Sequence, residues 1–274
     1  MTLAELKQLF IQDLSSIYEQ DEIESIFSIY LEDKLNLKFQ SDIELKNKVD
    51  LLNDLNELKK GKPVQHITEK AFFYNHFFYV NENTLIPRPE TEELIELIQN
   101  DYTNEQHLKI IDLGTGSGCI PITLSKLFVN ANVSALDISE KALEVANANS
   151  KNIGAHINFY QLDLLEDINL NQKFDVIISN PPYIRNLEKK EMHQNVLDFE
   201  PHLALFVEDD NALIFYERVI EFAKKHLEDN GTIYCEINQY LAKETEALFK
   251  KTFLNTKVIQ DLSGNDRMLK SSYI

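Results

Sequence analysis

From residue 109 onward, short apolar runs alternate with helical patterns, and this alternation most limits what the chain can fold into. Residues 109–113, 132–137, 157–162, 174–179 and 231–237 read as strands rich in Ile, Val, Leu and Phe. Helices read between them, including 140–151 and 213–227. Strands apolar on both faces need helices on both faces, which is the pattern of a doubly wound, mainly parallel sheet in the α/β class. Two further runs, 256–260 and 267–271, have no helix between them and are expected to pair as an antiparallel edge, completing seven strands. Thr91 reads as the cap of a helix passing through Leu94, Leu97 and Ile98.

The start of the chain differs. Its first 60 residues contain no Gly and no Pro. Apolar residues recur at helical spacing: Leu3, Leu6, Phe10 and Leu14; Ile23, Ile26, Phe27, Tyr30 and Leu31; Leu45, Val49, Leu52, Leu55 and Leu58. This predicts a small bundle of about four helices, ended by Gly61-Lys62-Pro63. The aromatic stretch 71–80 predicts a short hairpin with Asn75-His76 as its turn. The expected organisation is a helical domain over 1–70, a hairpin linker over 71–90 and an α/β domain over 91–274.

Composition narrows the function. With 45 Asp and Glu against 27 Lys and Arg, the 274-residue chain has a net charge of −18, which counts against non-specific duplex DNA binding. Cys119 and Cys235 form no Cys-x-x-Cys pair, so neither a zinc nor a redox pair is expected. No leader-like start and no run of about 20 apolar residues appear, so a cytoplasmic protein away from membranes is expected.

The first strand ends in Asp112-Leu113-Gly114-Thr115-Gly116-Ser117-Gly118, and a helix with Pro121 in its first turn follows. Glycines there let the backbone turn sharply and approach a ligand, although a plain strand-to-helix turn uses them for packing. Asp137 ends the second strand, where a carboxylate accepts hydrogen bonds from ribose hydroxyls. The dinucleotide fingerprint needs G-x-G-x-x-G, whereas Gly114, Gly116 and Gly118 give G-x-G-x-G. The loop therefore suits a nucleoside without a pyrophosphate, and S-adenosylmethionine fits. Asp163-Leu164 ends the third strand, where the acid either accepts from an adenine amino group or is a solvated loop residue.

The fourth strand runs into Asn180-Pro181-Pro182-Tyr183, which should face the same crevice. Two prolines stiffen the segment and remove two donors. A planar –NH₂ group is a poor nucleophile because its lone pair is delocalised. The Asn180 side-chain oxygen and the Pro181 carbonyl can accept its two N–H bonds, and the Tyr183 ring can lie against the planar group. A sulfonium methyl donor is already activated, so no metal is expected. Positioning then supplies much of the catalysis, worth about 7–11 kcal/mol at its best.

These segments resemble the release-factor glutamine methyltransferases (PrmC, also called HemK). The resemblance rests on 85–92 (Leu-Ile-Pro-Arg-Pro-Glu-Thr-Glu), Asp112 to Gly118, 137–139 (Asp-Ile-Ser), 180–184 (Asn-Pro-Pro-Tyr-Ile), 200–206 (Glu-Pro-His-Leu-Ala-Leu-Phe) and 261–267 (Asp-Leu-Ser-Gly-Asn-Asp-Arg). It implies a class I, Rossmann-like methyltransferase domain. The implied activity is methylation of the side-chain N5 of glutamine in the Gly-Gly-Gln motif of peptide-chain release factors. It also implies S-adenosylmethionine at Gly114, Thr115, Gly116, Ser117, Gly118, Asp137, Asp163, Leu164 and Asn180. Asn180, Pro181, Pro182 and Tyr183 would bind the substrate, with Asn180, Pro181 and Tyr183 carrying the catalysis. The helical domain is expected to hold the release factor, with the enzyme acting as a monomer. By analogy the 85–92 stretch lies near the cofactor and the domain junction. The chain departs from the family pattern at Asn238 and at 207–211, and at His66 and Glu69.

Two other readings use the same residues. Asn-Pro-Pro-Tyr also occurs in nucleic-acid amino methyltransferases, against which the acidity weighs. A helical interaction module on a fold that binds cofactor without turnover is the other, and the intact 180–183 tetrad argues against it. His193, His202 and His226 read as surface or capping residues, Cys119 as filler between loop and helix, and 208–210 as a solvated acidic run; a contact to a bound partner is the lesser of the readings open to Glu200.

Overall fold

The computed structural model describes residues 1–37 and 48–273. Helices α1 (Leu3–Leu14), α2 (Gln20–Ile29, continuing as a π-turn Tyr30–Lys34), α3 (Lys48–Lys59) and α4 (Val64–Thr68) come first. A capping box starts α1: the Thr2 hydroxyl accepts from Glu5 N and Glu5 accepts from Thr2 N. The first two apolar stripes behave as expected, with Leu6, Phe10, Leu14, Ile23, Ile26, Phe27, Tyr30 and Leu31 in one core. The third stripe is shifted. Leu51, Leu55 and Leu58 are buried while Val49 and Leu52 are exposed, and Leu45 lies outside the described residues. Leu51 to Leu55 to Leu58 keeps the four-then-three spacing that one helix face requires.

The hairpin is β1 (Lys70–Phe73) and β2 (His76–Tyr79), and its turn is Tyr74-Asn75, not Asn75-His76. Both turn residues have positive φ, 43° and 67°, as a two-residue turn matched to strand twist requires. Asn tolerates this locally. Tyr74 is held there by α5 (Pro89–Asp101): its N–H donates to Glu92 and its hydroxyl to Gln99.

The main sheet contains β3 (Lys109–Leu113), β4 (Asn132–Asp137), β5 (Ile157–Gln161), β6 (Phe174–Ser179), β9 (Leu227–Glu236), β10 (Asn255–Gln260) and β11 (Asp266–Ser272). Two-residue strands β7 (Ile184–Arg185) and β8 (Phe206–Val207) pair separately, with the short helix α8 (Gln194–Phe199) between them in the chain. The order is β10-β11-β9-β6-β3-β4-β5, parallel except where β11 lies antiparallel between β9 and β10. Helices α9 (Ile214–His226) and α10 (Ala242–Lys250) cover one face. Helices α5 and α6 (Cys119–Leu127) cover the other, with α7 (Glu140–Ile153) packed on α6. Side chains alternate accordingly: Ile110 and Val176 point to one core, Ile111 and Ile177 to the other.

No helix lies between β5 and β6. Asp163 begins a turn there by accepting from Leu165 N, and Leu164 and Ile168 bury against α9 in place of a helix. His226 is buried beneath this connection, facing the Gln172 and Ile168 carbonyls, so it is not a surface residue. Among the described residues no helix is long and apolar enough to cross a membrane.

Asn149 joins the hairpin to the α/β core. Its Oδ1 accepts from Tyr79 N at 2.7 Å, while Nδ2 donates to the carbonyls of Tyr79 and Ser117, both at 2.9 Å. Helical periodicity alone gave this buried Asn no role. Asn149→Ala leaves three inner backbone groups without partners, and each buried polar group so orphaned costs about 1–3 kcal/mol. The expected loss of stability is about 3–5 kcal/mol, read as a lowered urea midpoint with unchanged slope.

Candidate active site

The chain leaves β3 toward β4 on one side and reaches β6 on the other, so a crevice opens at the carboxyl ends of β3 and β6. The loop after β3 fills it. Gly114, Gly116 and Gly118 have φ of 82°, 55° and 80°, a region that only glycine enters freely. Gly114 N and Thr115 N both donate to Leu136 O at the end of β4. Asp137 ties the loop down further: Oδ2 accepts from Gly116 N at 2.8 Å and Oδ1 from Ser139 N at 2.9 Å. Burial pushes the Asp137 carboxyl up, and these backbone N–H groups pull it back.

One cavity is lined by Gly114, Thr115, Gly116, Ser117, Asp137, Asp163, Leu164, Asn180, Pro181 and Pro182. Leu113, Leu136, Ile138 and Phe215 give it apolar walls. A Cβ added at Gly114 or Gly116 would meet nothing within 4 Å, so the backbone there faces open space. A carboxylate, bare backbone and apolar walls fit a nucleoside whose ribose lies on the acid, as in S-adenosylmethionine. Gly118 is the exception among the expected cofactor residues. It does not line the cavity, and an added Cβ would stand 3.1 Å from Ala146 Cβ of α7. Its absent side chain lets α6 and α7 approach.

A second cavity adjoins the first and is lined by Asn180, Pro181, Tyr183, Ile184, Met192, His193, Val196, Leu205 and Glu236. Leu85, Arg88, Asn180, Pro181 and Ala204 line both. Tyr183 faces only the second, where its hydroxyl donates to Glu236 Oε1 at 2.7 Å. Burial, then the Glu236 charge, holds that phenol well above its ordinary range. Asn238 fills the loop behind it, donating to Tyr183 O at 2.9 Å and to Glu188 Oε2 at 3.0 Å. The 85–92 stretch also reaches the site, since Leu85, Pro87, Arg88 and Thr91 line the first cavity.

Two residues stand otherwise than their spacing suggests. Glu200 is buried. Its carboxylate pairs with Arg88 Nη2 and accepts from Ile86 N at 3.0 Å, pinning the wall that both cavities share. Thr91 is not a helix cap. Arg88 holds that position with Pro89 next, and the Thr91 hydroxyl donates to Glu236. Glu236, Asn238 and Arg88 had no assigned role from spacing, because each acts through a partner far away in the chain.

Behind the loop, Asp112 is fully buried, and among the described residues neither carboxyl oxygen meets a donor in good hydrogen-bond geometry. Burial raises it from 3.8 to about 7, and the nearby Thr115 hydroxyl offsets this only in part. Between those values the folded chain keeps a proton that the unfolded chain has released. Stability is therefore lost as pH rises through that window and levels off above it. Asp112→Asn cannot titrate. Its melting temperature minus that of the wild type should become more positive from about pH 5 to about pH 8 in scanning calorimetry. A constant difference would mean that Asp112 is ionised throughout.

Comparison with known proteins agrees with this geometry. The Methyltransferase small domain family model matches residues 90–200. The chain is 48% identical over 285 residues to the release factor glutamine methyltransferase of Flavobacterium psychrophilum, covering 100% of both. It is 37% identical over 270 residues to the enzyme of that name from Bacteroides thetaiotaomicron, covering 95% of this chain and 96% of the relative. Among solved structures, the hMettl16 catalytic domain in complex with MAT2A 3'UTR hairpin 1 aligns with a TM-score of 0.57 at 16% identity. That alignment covers 92% of this chain and 91% of the other, and at this identity it shows the shared fold alone. With identity of this order along the whole chain, and the glycine loop and Asn180 brought to one crevice, the protein belongs to the release factor glutamine methyltransferase family.

Proposed function

We propose that the chain methylates the side-chain N5 of the glutamine in the Gly-Gly-Gln motif of peptide-chain release factors. It is an S-adenosylmethionine-dependent release factor glutamine methyltransferase. The observation that supports the finer reading best is the wall shared by the two cavities, where Asn180 and Pro181 face both. Of the five residues that line both cavities, Asn180 is the one with a side-chain amide to offer a group held between them.

The donor supplies a methyl group on a sulfonium, activated toward a nucleophile. The loop from Gly114 to Ser117 lies along it, with Gly118 acting from behind through helix packing. Asp137 takes the ribose hydroxyls on lone pairs left by Gly116 N and Ser139 N. Asp163 takes the adenine amino group, and Leu164 packs on the ring. Across the wall, Asn180 Oδ1 and the Pro181 carbonyl accept the two N–H bonds of the target amide. Pro182 keeps the segment rigid, and Tyr183 bounds the amide plane. The glutamine nitrogen gains the methyl as the methyl's bond to sulfur breaks, then releases one proton. Residues 1–70 hold the release factor from outside, and the chain acts as a cytoplasmic monomer.

Mass spectrometry of a release factor incubated with labelled S-adenosylmethionine tests the reading. The expected product is one methyl group on the Gly-Gly-Gln glutamine. Transfer to DNA or RNA in place of the release factor would overturn it. Asn180→Ala should abolish most of the transfer while calorimetric cofactor affinity stays nearly constant. Asp137→Ala should weaken cofactor binding by about 1.5–3 kcal/mol, roughly 10- to 100-fold, because a charged acceptor is lost and Gly116 N is released.

A further inference from the structure

We propose that Thr91 and Glu236 are positioning residues that decide which end of the Asn180 amide, oxygen or nitrogen, faces the target nitrogen. The inference rests on the reading of Asn180 as acceptor for the substrate amide.

The argument follows from counting protons. Glu236 is almost fully buried, 3% exposed, at the end of β9. Its Oε2 accepts from the Thr91 hydroxyl at 2.7 Å and its Oε1 from the Tyr183 hydroxyl at 2.7 Å. A threonine hydroxyl has one proton, and here it is spent on the carboxylate. Thr91 Oγ1 can then offer only a lone pair to its other neighbour. That neighbour is Asn180, whose Nδ2 donates to it at 3.3 Å. An amide that meets a lone pair on one side must present its NH₂ there. Its oxygen is thereby turned the other way, as a substrate –NH₂ requires.

The alternative orientation would be costly for the reaction. It would set the two N–H bonds of Asn180 against those of the target, donor against donor. Nothing in an isolated Asn side chain prefers one end over the other, since the two amide orientations have the same shape. The preference has to come from outside, and the carboxylate is its source. Burial raises the Glu236 carboxyl, and the hydrogen bonds from Thr91 and Tyr183, followed by the charge of Arg267, itself paired with Asp261 at 3.3 Å, pull it back toward the ionised form. The Thr91 hydroxyl is not needed as a cap: it lies inside the first turn of α5, whose cap is Arg88.

The test compares Thr91→Val, Thr91→Ser and wild type in release factor methylation. Thr91→Val keeps the shape of the side chain and removes the hydroxyl. Its kcat is expected to fall about 10- to 100-fold, with KM for the release factor and calorimetric affinity for S-adenosylmethionine within about twofold of wild type. Thr91→Ser restores the hydroxyl and should return kcat to within about threefold of wild type. A role in stability alone would lower the melting temperature without this split, and serine would not restore kcat selectively. If Thr91→Val does not fold, Glu236→Leu carries the same expectation, since it frees the Thr91 proton to turn toward Asn180. A folded Thr91→Val or Glu236→Leu with wild-type kcat overturns the proposal while leaving the function intact. A wild-type protein that transfers no methyl to any release factor overturns the underlying reading instead.

Discussion

The Asp137 carboxylate accepting from Gly116 N and Ser139 N is the interaction on which the crevice depends. Three glycines in left-handed conformations have no side chains to hold them, and a loop of that kind is costly to order. The acid fixes it with one oxygen and fixes the start of α7 with the other. The end of β4, the loop and two helix starts thus become one rigid unit. The same charge stands ready for ribose hydroxyls in our reading, so anchoring and recognition share a group.

Much of this was legible in the chain. Strands 109–113, 132–137 and 174–179 appear at the bounds read from the sequence, because unbroken apolar runs between turn residues leave little choice. Asn180, the glycine loop and Asp137 reach one crevice because all lie at carboxyl ends of parallel strands. What failed was pairing across distance. Thr91 looked like a cap because caps are local, yet its hydroxyl is used by Glu236 on β9. The pairing of Glu200 with Arg88 was not legible because the two lie 112 residues apart. The hairpin turn moved by one residue because α5 holds Tyr74 in a conformation its own preferences oppose. The connection after β5 read as part of an α/β alternation, but an Asp-begun turn and buried Leu164 and Ile168 fill that place.

Electrostatics divides the site into two halves. On the loop side lie Asp112 and Asp137, both raised by burial, one bare and one satisfied by backbone N–H groups. On the far side Glu236 gathers hydroxyls from Thr91 and Tyr183, with Arg267 near. Asp137 and Glu236 so placed keep backbone and side-chain dipoles oriented before a ligand arrives, which is where a reaction run by positioning gets its advantage.

The bonds that finish the site span long stretches of chain: 145 residues from Thr91 to Glu236, 112 from Arg88 to Glu200 and 70 from Tyr79 to Asn149. Contacts of this kind are made late in folding, since the entropy of closing such loops must be met before they contribute. During synthesis the glycine loop, β4 and Asp137 emerge well before β9. A growing chain therefore has the Gly116–Asp137 contact available before the Thr91–Glu236 one, and in our reading Asn180 takes its orientation only once β9 is in place. Competence for methyl transfer arrives as a property of the finished topology and not of any segment.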